Sequence, residues 1–172
     1  MDTEQAIRTR RTHKVFGSEP LGRELLDELF ELARWAPNHH DTNPWRFRVL
    51  GPATLAQLKE LEDAVKPGNA RKLDRAPTLV VVTARQTGDP VQDREDVLAG
   101  GVAAYIVLLA AHGRGLAGYW RTLSILDSPE GSRVLGLEPD EVAIGLLHLG
   151  HPVHSQDTPE RAPVSDIASY LD

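Results

Sequence analysis

The chain of 172 residues contains no cysteine. Disulfides, thiolate nucleophiles, iron–sulfur clusters and cysteine-held zinc are excluded with it. Any redox chemistry must then come from an organic cofactor, or from a metal held by histidine and carboxylate. An excess of positive charge is also lacking: 19 Lys and Arg stand against 25 Asp and Glu, a net charge of -6. Nucleic-acid binders are usually basic, so neither DNA nor RNA is expected as a partner. Long hydrophobic runs are missing too. The longest, Val97 to Ala111, is interrupted by glycines and falls short of the ~20 residues that span a bilayer. The opening Met1-Asp2-Thr3-Glu4-Gln5 is acidic and polar, unlike a signal peptide. A cytoplasmic protein with no membrane contact is predicted. There are no internal repeats or low-complexity tracts, and no GxGxxG after a strand, no P-loop and no GxSxG elbow.

What is present is an ordinary globular composition, 41% hydrophobic and 26% charged, of a length suited to one domain over 1–172. Its last part, 155–172, is polar and proline-punctuated and reads as an arm. A short helix is expected over 2–10. A second, over 22–35, carries Leu25, Leu26, Leu29, Phe30 and Ala33 on one face. Trp45 to Leu50 alternates as a strand does, and a helix follows over 54–64. Thr78 to Thr83 is β-branched and apolar on both faces, as in a central strand. The longest helix spans 93–112 and is apolar nearly all round after Val97, which predicts burial on most sides. Strands are expected over 116–122 and 142–149, with a helical segment after Ser128-Pro129-Glu130 between them. Helices and strands interleave without a tidy βαβ repeat, so the class is α+β, a central mostly antiparallel sheet flanked by helices.

Four stretches could carry chemistry. Arg10-Arg11-Thr12-His13-Lys14 offers guanidinium forks and a hydroxyl to a phosphate, although a solvated basic face explains it as readily. The loop Trp35-Ala36-Pro37-Asn38-His39-His40, continuing to Asn43-Pro44-Trp45, is long and polar, as binding loops are; a capping loop beside a buried Trp45 is the plain alternative. Gly118-Tyr119-Trp120-Arg121-Thr122 could stack on or cradle a ligand, or supply a core Trp and a surface Arg. His148, His151 and His154 suggest zinc or copper. Gly150 and Pro152 between them turn the chain, which favours a strand end with exposed histidines.

Together and in order, these segments resemble the nitroreductase family, most closely its compact NAD(P)H nitroreductase branch. The matching pieces are Arg10-Arg11-Thr12-x-Lys14, then Ala36-Pro37-Asn38-His39 with Asn43-Pro44-Trp45-Arg46-Phe47. Arg75-Ala76-Pro77, the Gly-Ala-rich helix at 99–111, the stretch from Gly115 to Thr122 and Leu149-Gly150-His151-Pro152 complete the set. The resemblance implies an interlocked homodimer with flavin mononucleotide (FMN) at the subunit interface and the C-terminal arm laid over the partner. It implies that Arg10 and Thr12 hold the phosphate or ribityl chain beside the Arg11 backbone, and that Lys14 approaches the pyrimidine edge, where a cation stabilises the reduced ring. Trp35 and His39 reach across from the second subunit, and Trp120, Arg121 and Thr122 complete the site. Relatives often carry Ser at position 12, Gln at 43 and a basic residue at 35. The implied activity is hydride transfer from NAD(P)H through FMN to a small acceptor such as a nitroaromatic or quinone. A flavin-storage protein with little turnover, or a metal enzyme using His148, His151 and His154, are the alternatives.

Overall fold

Strand β2 (Thr78–Arg85) is the centre of the molecule, and its sequence shows why. Side chains alternate between the faces of a strand. Val80 and Val82 therefore enter one apolar cluster while Leu79 and Val81 enter another, and all four are at most 2% exposed. In this computed structural model, which describes residues 1–171, β2 lies between β1 (Trp45–Val49) and β4 (Glu141–Gly150), and β3 (Ala117–Arg121) pairs with the far edge of β4. The order is β1-β2-β4-β3 with every pairing antiparallel. Asp172, the last residue of the expected arm, lies outside the described residues.

One face of the sheet is covered by α2 (Arg23–Ala33) and α4 (Pro90–Gly113), the other by α3 (Pro52–Val65) and α5 (Pro129–Leu135). Helix α2 buries Leu26, Leu29 and Ala33 on its apolar stripe. Helix α4 starts where Asp89 accepts hydrogen bonds from the Val91 and Gln92 amides, with Pro90 in its first turn. Its sheet-facing side is mostly small, with Ala99, Gly100, Ala103, Ala104 and Ala111, so the helix lies close on the sheet. A Cβ on Gly100 would stand 3.1 Å from Ile144 Cγ1.

One expectation changes. At 24 residues α4 is long and apolar enough to cross a membrane by length and composition, because the helix extends beyond the run that the sequence marks; here its alanine side is core. Between Val97 and Gly113 the helix is buried or half-buried at most positions, as its composition predicts, with Leu98 and Val102 the exceptions at 62% and 40% exposed. A short first helix, α1 (Thr3–Thr9), packs against α4. Among the described residues the stretch after β4 adds only one short helical turn, Val164–Asp166.

Candidate functional site

The basic run lies where α1 ends. Arg10 is the C-cap of α1, and its backbone N–H donates to the Ala6 carbonyl. The chain then runs alongside the start of β3: Thr12 bridges Gly118, and the His13 amide donates to the Gly118 carbonyl at 3.1 Å. The guanidinium of Arg10 sits 5.8 Å from the centre of the Tyr105 ring. Its Nε is buried without a hydrogen-bond partner.

Arg11 is a strut. Its Nη1 donates to the Arg8 and Arg10 carbonyls, its Nε to the Asp157 carbonyl and its Nη2 to Thr158 Oγ1. The start of the C-terminal arm is thereby tied to the end of α1. Between them opens a cavity of about 230 Å3 lined by Arg10, Arg11, Thr12, Gln156, Asp157, Pro159 and Arg161. Lys14 is exposed nearby in the chain.

A larger cavity, of about 520 Å3, shares Arg11 and Gln156 and is lined also by Thr9, His13, His112 and His154. Burial, and next the Arg10 guanidinium, hold His13 and His112 below the ordinary imidazole value. In the larger cavity four of the five Arg11 N–H donors are already engaged by carbonyls and by Thr158. The smaller one gathers three arginines, Arg10, Arg11 and Arg161, against one carboxylate, Asp157.

At the end of β3, neighbouring residues part company. Trp120 lies on the α4 side, where its ring covers Gly145 and its Nε1 donates to the Ile144 carbonyl at 3.4 Å. Arg121 points the other way. Its side chain is 11% exposed and its Nη2 lies 3.9 Å from Oε1 of Glu62, a carboxylate 3% exposed on α3. Burial pushes the Arg121 guanidinium below its ordinary value, and Glu62 opposes that. Asn69 Nδ2 donates to the same Glu62 oxygen. Thr122 is exposed. Lys72 and Arg75 add positive charge near Arg121.

His39 lies at the opposite end of α4, and Trp35 just after α2. Trp35 is 75% exposed, with the Arg34 guanidinium 5.9 Å from its ring centre. His39 Nδ1 meets Glu95 Oε2 at 2.6 Å. Thr9 Oγ1, next to Arg10, contacts His112 Nε2 at 2.8 Å. Glu95 and His112 are about 25 Å apart along the helix at 1.5 Å per residue. One chain therefore joins Arg10, Arg11 and Thr12 to β3 and to the arm, but leaves Trp35 and His39 elsewhere.

The histidines of the C-terminal cluster also separate. His148 is 0% exposed on β4, opposite Tyr119 with ring centres 5.3 Å apart, whereas His151 and His154 are exposed. The expectation of exposed histidines thus fails for His148, which strand alternation turns into the sheet's α3 side beside Leu146 and Leu79. Among the described residues no group of three or more His, Asp or Glu is placed to hold a metal ion. Sequence reasoning passed over Arg161, whose only mark is its place between Pro159 and Pro163. It also missed Glu62 and Asn69, which carried no motif.

The family model described as "Nitroreductase family" matches residues 7–151. A protein of Methanothermobacter thermautotrophicus, named as a candidate NADH dehydrogenase/NAD(P)H nitroreductase, is 30% identical over 165 residues, 92% of this chain and 81% of its own. The crystal structure of a nitroreductase-like family protein from Bacillus cereus superposes with a TM-score of 0.87 at 24% identity, over 100% of this chain and 97% of the other. That of a candidate nitroreductase in complex with FMN from Exiguobacterium sibiricum gives 0.82 at 18% identity, over 99% and 98%.

Proposed function

The chain belongs to the nitroreductase family, and from that we propose that it is a cytoplasmic, FMN-dependent oxidoreductase that works as a homodimer, takes electrons from NAD(P)H and reduces a small acceptor such as a nitroaromatic or quinone. The observation that carries the reading is the cavity between α1 and the arm. Arg10, Arg161 and Thr12 line it together, and the Arg10 Nε is buried without a hydrogen-bond partner. That donor set suits a phosphate dianion, and the space suits a phosphate tail rather than a ring system. The residues present therefore fit the cofactor.

When bound, FMN supplies the hydride chemistry, and the protein supplies binding, orientation and electrostatics. Arg10 and Thr12 hold the phosphate end, and Arg11 fixes the wall formed by Asp157 and Thr158. Lys14 places a cation toward the pyrimidine edge. Trp120, Arg121 and Thr122 bring the end of β3 to the site, with Arg121 acting from behind the sheet through Glu62. Trp35 and His39 serve the site of the other subunit.

The homodimer rests on what a single chain leaves exposed. Val91, Leu98 and Val102 on α4, Trp35, and Val164, Ile167, Tyr170 and Leu171 of the arm are all at least 40% exposed, apolar side chains that a partner subunit would cover. We assign 1–172 to one nitroreductase-like domain whose 155–172 arm lies over the partner. The test is to purify the protein, record its visible spectrum and mass in solution, and follow NADH and NADPH oxidation with a nitroaromatic. A yellow dimer with turnover is expected. A colourless monomer that takes up no added FMN would refute the reading, and bound FMN with negligible oxidation would make it a storage protein.

A further inference from the structure

The loop between α2 and β1 is built at a conformational cost. His40, Asp41 and Asn43 have φ of +56°, +51° and +46°, the left-handed region that non-glycine residues seldom occupy. Such backbone persists only where its surroundings fix it, and it gathers at functional sites. Here α4 does the fixing. Thr42 Oγ1 donates to Oδ1 of Asp96, a carboxylate 1% exposed that also accepts from Gln92 Nε2. Within the loop, Asn38 Oδ1 accepts from the Asn43 amide.

One side chain is gripped from two sides. His39 Nδ1 lies 2.6 Å from Glu95 Oε2, and the His40 ring stacks on the His39 ring with centres 3.9 Å apart and planes 24° apart. With Glu95 accepting from Nδ1–H, the ring plane is set and, among the described residues, Nε2 has no hydrogen-bond partner. In an imidazole, the bond at one nitrogen decides what the other can do. The pair does little for stability: the His39 and Glu95 side chains are 59% and 38% exposed, and pairs so open to water contribute little. The grip does far more to orient His39 than to hold the fold together.

We propose that Glu95 is a positioning residue that acts through His39, holding its ring so that Nε2 faces the cofactor bound by the other subunit. This rests on the proposed dimeric FMN site and goes beyond it, since it assigns a role to a carboxylate on α4 that touches no ligand itself. Nε2 is then a preset hydrogen-bonding group, and removing Glu95 frees the ring to turn.

The test is a double-mutant cycle on full-length protein stripped of flavin, with FMN affinity read by quenching of flavin fluorescence. Loss of one hydrogen bond corresponds to roughly a fivefold weakening. His39→Ala and Glu95→Ala should each weaken FMN binding by about that factor. In the His39→Ala background the Glu95→Ala change should add nothing, because the residue through which it acts is gone; independent effects would multiply instead. Glu95→Gln, which keeps an acceptor oxygen, should restore most of the affinity. Multiplying effects, or an undiminished affinity in Glu95→Ala, overturn the proposal. Should His39→Ala alone leave affinity unchanged while Arg10→Ala reduces it, the flavin site stands and the role of the loop falls. Protein that takes up no FMN in any form removes the underlying reading itself.

Discussion

Lowering the pH should destabilise the protein through one residue, His148. Its ring is fully buried and neither nitrogen has a hydrogen-bond partner. Burial, then the charges of Arg121 and Arg75, push its pKa down from 6.5 to about 4. The folded protein thus keeps His148 neutral, while the unfolded chain binds a proton below about 6.5. Where the unfolded state binds more protons, stability falls as pH falls. The contribution of His148 is therefore fully present above pH 6.5, is lost between 6.5 and about 4, and is level below that. At 1.36 kcal/mol per pH unit the loss totals about 3 kcal/mol, a large part of the 5–15 kcal/mol typical of a domain.

Many groups titrate in the same range, so the assay must isolate this one. Urea unfolding of the wild type and of His148→Leu, each at pH 7.5, 6, 5 and 4.5 with the same excess of FMN, does so, because everything common to both proteins cancels. At pH 7.5 the variant should be as stable as the wild type or more so, since a buried polar ring without partners is replaced by an apolar side chain. By pH 4.5 it should be ahead by a further 2–3 kcal/mol, in round terms. Parallel curves for the two proteins across this range would refute the reasoning.

Glu62→Ala leaves Arg121 charged and buried alone. Breaking such a pair costs about 3–5 kcal/mol, which for a chain of this size lowers Tm by roughly 6–20 °C, measurable by circular dichroism. Gly145→Ala forces the Trp120 ring off its seat, since the new methyl would stand 2.8 Å from Trp120 Cδ1; a loss of about 1–3 kcal/mol and a shift in tryptophan emission are expected. Arg10→Ala removes a charge-assisted phosphate contact of about 1.5–3 kcal/mol, so FMN should bind about ten- to a hundredfold more weakly with little change in Tm. Leu98→Glu with Val102→Glu charges the exposed face of α4, and sedimentation should show the dimer dissociating at concentrations where the wild type stays paired.

The elements were legible because their patterns are strong. Four strands, the three longer helices and the seven-residue α1 and α5 fall close to where pattern and start signals place them, and β2 reads as central because both its faces are apolar. What escaped was whatever depends on partners far away in sequence. The outward face of α4 is as apolar as the inward one, so the exposure of Leu98 and Val102 could not be read from the helix alone. His148 looked like one member of a histidine cluster, yet its surroundings are set by Leu79 and Tyr119 on two other strands. Arg161 and Glu62 became visible only when the arm met α1 and α3 met the sheet.

The Trp120-Arg121 pair makes the same point in geometric terms. As neighbours in sequence they suggest one surface that stacks and grips at once. On a strand, successive side chains point to opposite faces, so two adjacent residues of β3 cannot both turn to one ligand. The sheet divides them: the tryptophan goes to the α4 layer, over Gly145, and the arginine to the α3 layer, beside Glu62. A cation placed behind the sheet still acts on a ligand in front of it, because a low-dielectric interior screens charge less than water does. Arg121 can therefore bear on an anionic reduced ring without touching it, and Glu62 sets how much of that charge is left to act. Neutralising Glu62 with Glu62→Gln should then raise the reduction potential of bound FMN, because the uncompensated guanidinium favours the negatively charged reduced form. A potential that stays the same or falls would show that the buried pair serves the fold alone.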